Sequence, residues 1–160
     1  MSKSQDEILA SELGKVGELG GKISALFSKG PSTGKAAETG ASLGAQLAAK
    51  FLPTETYTEK LTFKIAPEKA LKLGYSVLAK VGELQAETDT PPYPFLKAVI
   101  GSGFLGLNPA VVYLEILEGD STGCEVTITA AAKEGLIKQH TAAKAAQRVI
   151  PALRDLANGA

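Results

Sequence analysis

The sequence predicts an α+β domain, an antiparallel sheet of four to five strands packed on a long C-terminal helix in the order β-α-β-β-β-α, preceded by an N-terminal helical segment. Two observations predict this class. Three strand-like stretches follow one another after residue 94 without a helical pattern between them, and directly joined strands pair antiparallel. A long apolar stripe at helical spacing then closes the chain, so one helix can cover a face of that sheet.

A change of texture at Pro53 divides the chain into a Gly/Ala-rich extension, helical or partly disordered, over residues 1–53 and an α+β domain over residues 54–160. In the extension, apolar residues recur every three or four positions from about Gln5 to Ser28, which predicts one helix, and a second helical pattern ends at Pro53. Each glycine inside the first helix costs about 1 kcal/mol relative to alanine. We therefore expect these helices to be marginal without a partner.

The first strand and helix of the α+β domain have clear signals. The stretch YTEKLTFKI, which begins at Tyr57, alternates large side chains with threonine and lysine, as a half-buried strand does. Pro67 opens a helix at the position that proline prefers, and Gly82 is expected to end it in the left-handed conformation. The following ELQAET indicates a short strand.

Three further strands are predicted by FLKAVIGSGF, AVVYLEIL and CEVTITAAA, and the last two are joined by the hairpin turn EGDSTG. A final helix is expected from about Leu136 to Leu156, with Val149, Leu153 and Leu156 on its apolar side. Pro151 lies inside it and is expected to bend it, because proline removes one backbone hydrogen bond.

The stretch Gly101–Gly106, GSGFLG, matches the glycine spacing of a dinucleotide fingerprint. That fingerprint must open a helix, because the helix N-terminus binds the pyrophosphate. The residues that follow, NPAVVYLEIL, are typical of a strand. The glycines therefore indicate a strand end and a connection, which could also leave space for a ligand. The stretch GPSTGKA at 30–36 lacks the spacing and the hydroxyl residue of a P-loop and is expected to be a loop between helices.

Few side chains in the sequence suggest catalysis. Cys124 shares the parity of apolar residues in its strand and is expected to be a small core residue. His140 is the single histidine, and we expect it to be solvated. Lys133 and Glu134 are expected to be solvent-facing charges before the last helix. No group of residues demands catalysis, so the protein is expected to be no enzyme and to use no cofactor or metal.

Composition restricts the classes of partner. Lys plus Arg equals Asp plus Glu at 17 each, so the basic excess of a nucleic-acid-binding protein is absent and no nucleic acid partner is expected. No apolar run approaches the roughly 20 residues of a membrane-spanning helix. The acidic start lacks the pattern of a signal peptide, so a cytoplasmic location is expected.

From residue 56 to 158 the pattern resembles the START-like helix-grip superfamily. The resemblance is carried by KLTFKIAPEKALKLGYSVLAKVG, a strand and a Pro-initiated helix, and by HTAAKAAQRVIPALRDLAN, the amphipathic helix at the end. It implies a curved sheet that grips the last helix over an apolar cavity. This chain is short of the strands and of the second small helix that the family usually has, so a closed sheet with a filled core is the alternative.

Two functions follow as expectations. The first is non-catalytic binding of an apolar, lipid-like small molecule between the sheet and the last helix. The candidate wall residues share an apolar stripe and could equally be core: Leu78, Phe104, Leu114, Ile128 and Val149. The second is a protein interaction module in which residues 5–52 order on a partner or form a homodimer.

Overall fold

The computed structural model describes residues 4–27, 34–85, 95–102, 108–119, 123–134 and 138–159. The elements are, in chain order, α1 (Gln5–Phe27), α2 (Gly34–Phe51), β1 (Thr54–Phe63), α3 (Pro67–Val81), β2 (Glu83–Leu84), β3 (Phe95–Ser102), β4 (Asn108–Glu118), β5 (Cys124–Lys133) and α4 (Thr141–Asn158). The predicted order of strands and helices, including the two-residue β2, is confirmed.

The five strands form one antiparallel sheet in the order β1-β5-β4-β3-β2. Glu118 at the end of β4 pairs with Cys124 at the start of β5, so these consecutive strands are antiparallel neighbours, and residues 120–122 of the predicted turn lie outside the described residues. Ser102 pairs with Asn108, so the glycine-rich stretch joins two antiparallel strands. The element after it is a strand, as expected, and the dinucleotide interpretation is excluded on that ground.

One face of the sheet, here called the packed face, is covered by α3 and α4. Alternate residues of β1, β3, β4 and β5 point toward these helices and form one continuous core with them. The core includes Val77 and Leu78 of α3 and Val149, Ile150 and Leu153 of α4. The C-terminal helix therefore packs against an antiparallel sheet, the arrangement expected from the sequence.

The opposite face, here called the strap face, is crossed by α1 at the end where β4 begins and β5 ends. Ile8 and Leu9 of α1 bury themselves against Val99, Val111 and Tyr113. The contact is possible because Val111 and its neighbour Val112 are both apolar, so this end of β4 presents hydrophobic side chains to both faces. Among the described residues, this second cluster is much smaller than the core on the packed face.

An ionic contact fixes the first turn of α1 to the sheet. Lys133 Nζ lies 2.8 Å from Asp6 Oδ1 and donates to Thr54 Oγ1 at 2.8 Å. The Lys133 side chain is only 5% exposed. The expectation that Lys133 and Glu134 face solvent is therefore wrong for both residues, because α1 and the start of α4 cover this corner of the sheet.

The helices α1 and α2 pack closely through small residues. A Cβ placed on Gly17 would lie 2.6 Å from the Ala41 carbonyl oxygen and 2.8 Å from Ala45 Cβ, so glycine permits this approach. A Cβ on Gly44 would contact nothing within 4 Å, so Gly44 does not serve the same purpose. Whether residues 1–53 behave as a separable unit stays a prediction.

Two helix ends differ in detail from expectation. Gly82 follows α3 in an extended conformation, with φ −158°, so the predicted left-handed cap is wrong. Glycine is needed there because a Cβ would collide with the carbonyl oxygen of Val99 and the side chain of Ile100. Pro151 lies inside α4 as predicted, and Leu153 beyond it is buried, whereas Leu156 is exposed.

Candidate functional site

Four of the five predicted wall residues lie together in the core of the packed face. Leu78, Leu114, Ile128 and Val149 are fully buried members of one hydrophobic cluster. Packing is tight enough that a Cβ on Gly74 of α3 would lie 3.1 Å from Leu114 Cδ1. Phe104 lies outside the described residues. The placement favours the core interpretation of these four residues, and their role in ligand binding stays a prediction.

A cleft of about 370 Å³ opens instead on the strap face, between α1 and the edge of the sheet. Its walls come from α1, from the turn that joins α3 to β2, and from the paired ends of β3 and β4. Most of the lining is apolar, and the described lining residues are Glu12, Lys15, Val16, Leu19, Gly82, Glu83, Val99, Gly101 and Pro109.

The local sequence explains why space remains here. Gly101 pairs with Pro109 across β3 and β4, and neither residue projects a long side chain. Gly82 brings the end of α3 against β3, so the floor of the cleft is largely backbone. Val16 and Leu19 supply apolar surface from α1. The sequence had indicated that the Gly101–Gly106 connection could leave space for a ligand, and Gly101 does line this cleft, on the face opposite to the one expected.

Charged groups lie at the edge of the cleft. Lys15 Nζ lies 2.8 Å from Glu12 Oε1, and the Glu12 side chain is 16% exposed whereas that of Lys15 is 61% exposed. The hydrogen bond to Glu12 raises the pKa of Lys15, and the charge of Glu83 adds to the effect. Sequence reasoning missed this site because α1 meets the strands only in the tertiary structure. Glu12 and Lys15 at a spacing of three on a helix were the available signal.

A second polar cluster, at the start of α4, holds the backbone. Glu134 accepts hydrogen bonds from the N–H groups of Gln139, at 2.6 Å, and Thr141, at 2.9 Å. Glu55 accepts from Ala142 N at 3.0 Å, and its other oxygen lies 3.0 Å from His140 Nδ1. These carboxylates therefore satisfy the first two N–H groups of α4, and Glu134 also holds the N–H of Gln139 just before the helix, a structural role.

The ionisation of Glu134 fits this capping role. Burial alone would raise the pKa of Glu134, but the N–H groups of Gln139 and Thr141 hold it below its ordinary value. His140 is exposed, as expected, and adopts a left-handed conformation with φ 54° immediately before the helix.

The single cysteine is placed as the sequence predicts. Cys124 is fully buried, and burial raises the pKa of its thiol, which disfavours the reactive thiolate. Across the described ranges, no three acidic, histidine or cysteine side chains are grouped so that they could hold a metal ion. None of the helices in the part of the chain that the structure describes is long and apolar enough to cross a membrane.

Comparison with known proteins gives structural likeness alone. No family model and no curated protein matches the chain. Among solved structures, the chain is similar to Ara h 8.0201, at 12% identity over 68% of this chain and 100% of the other, with a TM-score of 0.39. It is also similar to the ginseng major latex-like protein 151 from Panax ginseng, at 8% identity over 65% and 97%, with a TM-score of 0.42.

A third similar structure is truncated norcoclaurine synthase from Thalictrum flavum, at 10% identity over 66% of this chain and 94% of the other, with a TM-score of 0.39. The three proteins carry names of different kinds, and only one of them is called a synthase.

Proposed function

We propose that this protein binds a small, mainly apolar molecule without transforming it, in the cleft between α1 and the strap face. The observation that carries the proposal is the cleft itself. Its volume of about 370 Å³ lies in the range of small-molecule sites, roughly 300–1,000 Å³, and its lining is mainly apolar with a few polar groups. Of the charged residues described at the cleft, Glu12 and Lys15 pair with each other, and none is arranged as an acid, base or nucleophile beside the cleft.

The direct test is a fluorescence titration with the neutral apolar dye N-phenylnaphthylamine. A Val16→Trp variant fills the cleft from α1 and is expected to abolish most of the binding. A Tyr75→Trp variant is the matched control, because Tyr75 is exposed on α3 and does not line the cleft. Absence of dye binding to the native protein, or equal loss in both variants, would contradict the proposal.

A second candidate function is self-association through α2. Leu43 and Phe51 are 55% and 87% exposed, and Gly44, seven residues before Phe51, is open to solvent. Residues seven apart share one helix face, so an antiparallel α2–α2 contact could place Phe51 of one copy over Gly44 of the other. Sedimentation velocity tests this: a dimer that Phe51→Glu dissociates is expected, and a native monomer at high micromolar concentration would exclude it.

A further inference from the structure

The charged groups that line the cleft include more negative than positive side chains. The described lining carries two carboxylates, Glu12 and Glu83, and one ammonium group, Lys15. The Glu12 side chain is largely buried, whereas that of Lys15 extends into solvent, where water screens its charge more strongly. Lys15 and Glu12 are paired at 2.8 Å, and the second carboxylate, Glu83, leaves the described lining with a net charge of −1.

The C-terminal end of α3 adds further negative charge to the cleft. Gly82 and Glu83, which follow the last residue of α3, both line the cleft, and Gly82 N donates to the carbonyl of Leu78 at 2.9 Å. The C-terminal end of a helix carries a partial negative charge from its carbonyl groups. Lys80 in the last turn opposes this charge in part, but it does not line the cleft. Two independent sources therefore make the cleft favourable for a cation.

The volume limits the size of the apolar part. An engineered apolar cavity of about 150 Å³ in another protein holds benzene. The cleft has about 370 Å³, so one or two rings or an alkyl chain of similar volume would fit.

We propose that the cleft prefers a small apolar ammonium compound, an aryl- or alkylamine, over a carboxylate of the same shape. This inference rests on the proposed function and deepens it by naming the ligand class. The apolar part lies against Val16, Leu19, Val99 and Pro109, and the ammonium group lies toward Glu12 and the end of α3.

The experiment is competition against bound N-phenylnaphthylamine at neutral pH by three compounds of matched shape: phenylpropylammonium, phenylpropionate and phenylpropanol. The ammonium compound is expected to compete best and the carboxylate worst. Glu12→Gln is expected to weaken the ammonium compound about fivefold and to leave the alcohol nearly unchanged, as for one ion contact near a surface. Lys15→Gln is expected to widen the preference for the ammonium compound.

Glu125→Gln is the matched control. It makes the same charge change and also removes a carboxylate that contacts a lysine at 2.8 Å, in this case Lys60, but it does not line the cleft. Equal competition by all three compounds, or an equal effect of Glu12→Gln and Glu125→Gln, would overturn the ligand class while dye binding still supported the proposed function. Failure of the dye to bind would overturn the proposed function itself.

Discussion

The two faces of the sheet are covered in different ways. The packed face lies under two helices that share one continuous core with four strands, and large side chains such as Leu114 and Ile128 are fully buried there. The strap face is covered at one end by α1, which buries only Ile8 and Leu9 in the described cluster. Stability is therefore concentrated on one face, and the space that a ligand could use lies on the other.

The difference follows from the alternation of apolar and polar residues along the strands. In β5 the packed-face positions from Cys124 to Ala130 are apolar, and the alternate positions are mostly threonine and glutamate. Near the start of β4 the residues that point to each face are apolar, so both faces of the sheet must be shielded from water there. A single helix satisfies this local need and leaves the cleft beside it.

The largest effect is expected from truncating a buried leucine on the packed face, compared with one on the strap face. Leu114→Ala should lower the free energy of unfolding by about 3–5 kcal/mol, because Leu114 is fully buried in the core and its truncation leaves a cavity. Leu9→Ala should cost less in global unfolding, because α1 can detach from the sheet before the core opens. Denaturant unfolding with amide hydrogen exchange measures both. Uniformly faster exchange across the sheet in Leu9→Ala would contradict a separate role for α1.

Removal of residues 1–53 is the next test. The core of the packed face lies entirely between Leu61 and Leu153, so a chain that starts at Thr54 is expected to keep its secondary structure by circular dichroism. It should melt at a lower temperature, because Val99 and Val111 lose their cover. Limited proteolysis of the full chain is expected to cut between 28 and 55. An unfolded fragment would show that residues 1–53 and the α+β domain form one cooperative unit.

Glu134→Gln tests the corner of the sheet that α1 and the start of α4 cover. An amide cannot accept hydrogen bonds at both of its terminal atoms, so the variant should lose about 1–3 kcal/mol at neutral pH. Because the folded-state pKa of Glu134 is lowered, its contribution is present above the ordinary value near 4.5 and is lost as pH falls through the folded pKa.

Urea unfolding at a series of pH values measures this prediction. The stability difference between the native protein and Glu134→Gln should be constant above pH 4.5 and should shrink in more acidic solution. A difference that grows on acidification would show that the sign of the pKa shift is wrong.

Two glycine substitutions, one in α1 and one in α2, are expected to act in opposite directions. Gly17→Ala should destabilise the α1–α2 contact, because its Cβ would lie 2.6 Å from the Ala41 carbonyl oxygen. Gly44→Ala should stabilise α2 by about 1 kcal/mol, because its Cβ has open space and alanine favours a helix. Thermal unfolding followed at the helix signal measures both, and the same sign for the two variants would contradict the described packing.

Pro151→Ala is expected to have the smallest effect. Removal of proline from a straight helix would gain about 3 kcal/mol, but here we expect a gain below about 1 kcal/mol or a loss. Val149 and Leu153 are buried on either side of it. The sequence predicts a bend at Pro151, and straightening such a bend would move Leu153 from its contacts. Deletion of residues 152–160 should lower the melting temperature by several degrees. An unchanged melting temperature would show that the last turns of α4 contribute nothing.

Local sequence determined the elements and the fold class. Period-two alternation in β1 and β5, proline at the start of α3 and the apolar stripe of α4 each limit the backbone to one conformation, and the structure agrees with them. The buried role of Cys124 followed from parity alone. The prediction of a left-handed cap at Gly82 was wrong. Glycine is required there because β3, which begins at Phe95, approaches the backbone closely.

Only the tertiary structure decided the site. Four of the predicted wall residues are buried apolar positions, but apolar patterning cannot distinguish the wall of a cavity from a filled core, since both demand the same side chains. The cleft joins Glu12 and Lys15 of α1 to Glu83 and Pro109, which are distant in sequence. Lys133 and Glu134 likewise look solvated in sequence and are buried because α1 and α4 meet over them, since burial depends on what the rest of the chain places above a residue.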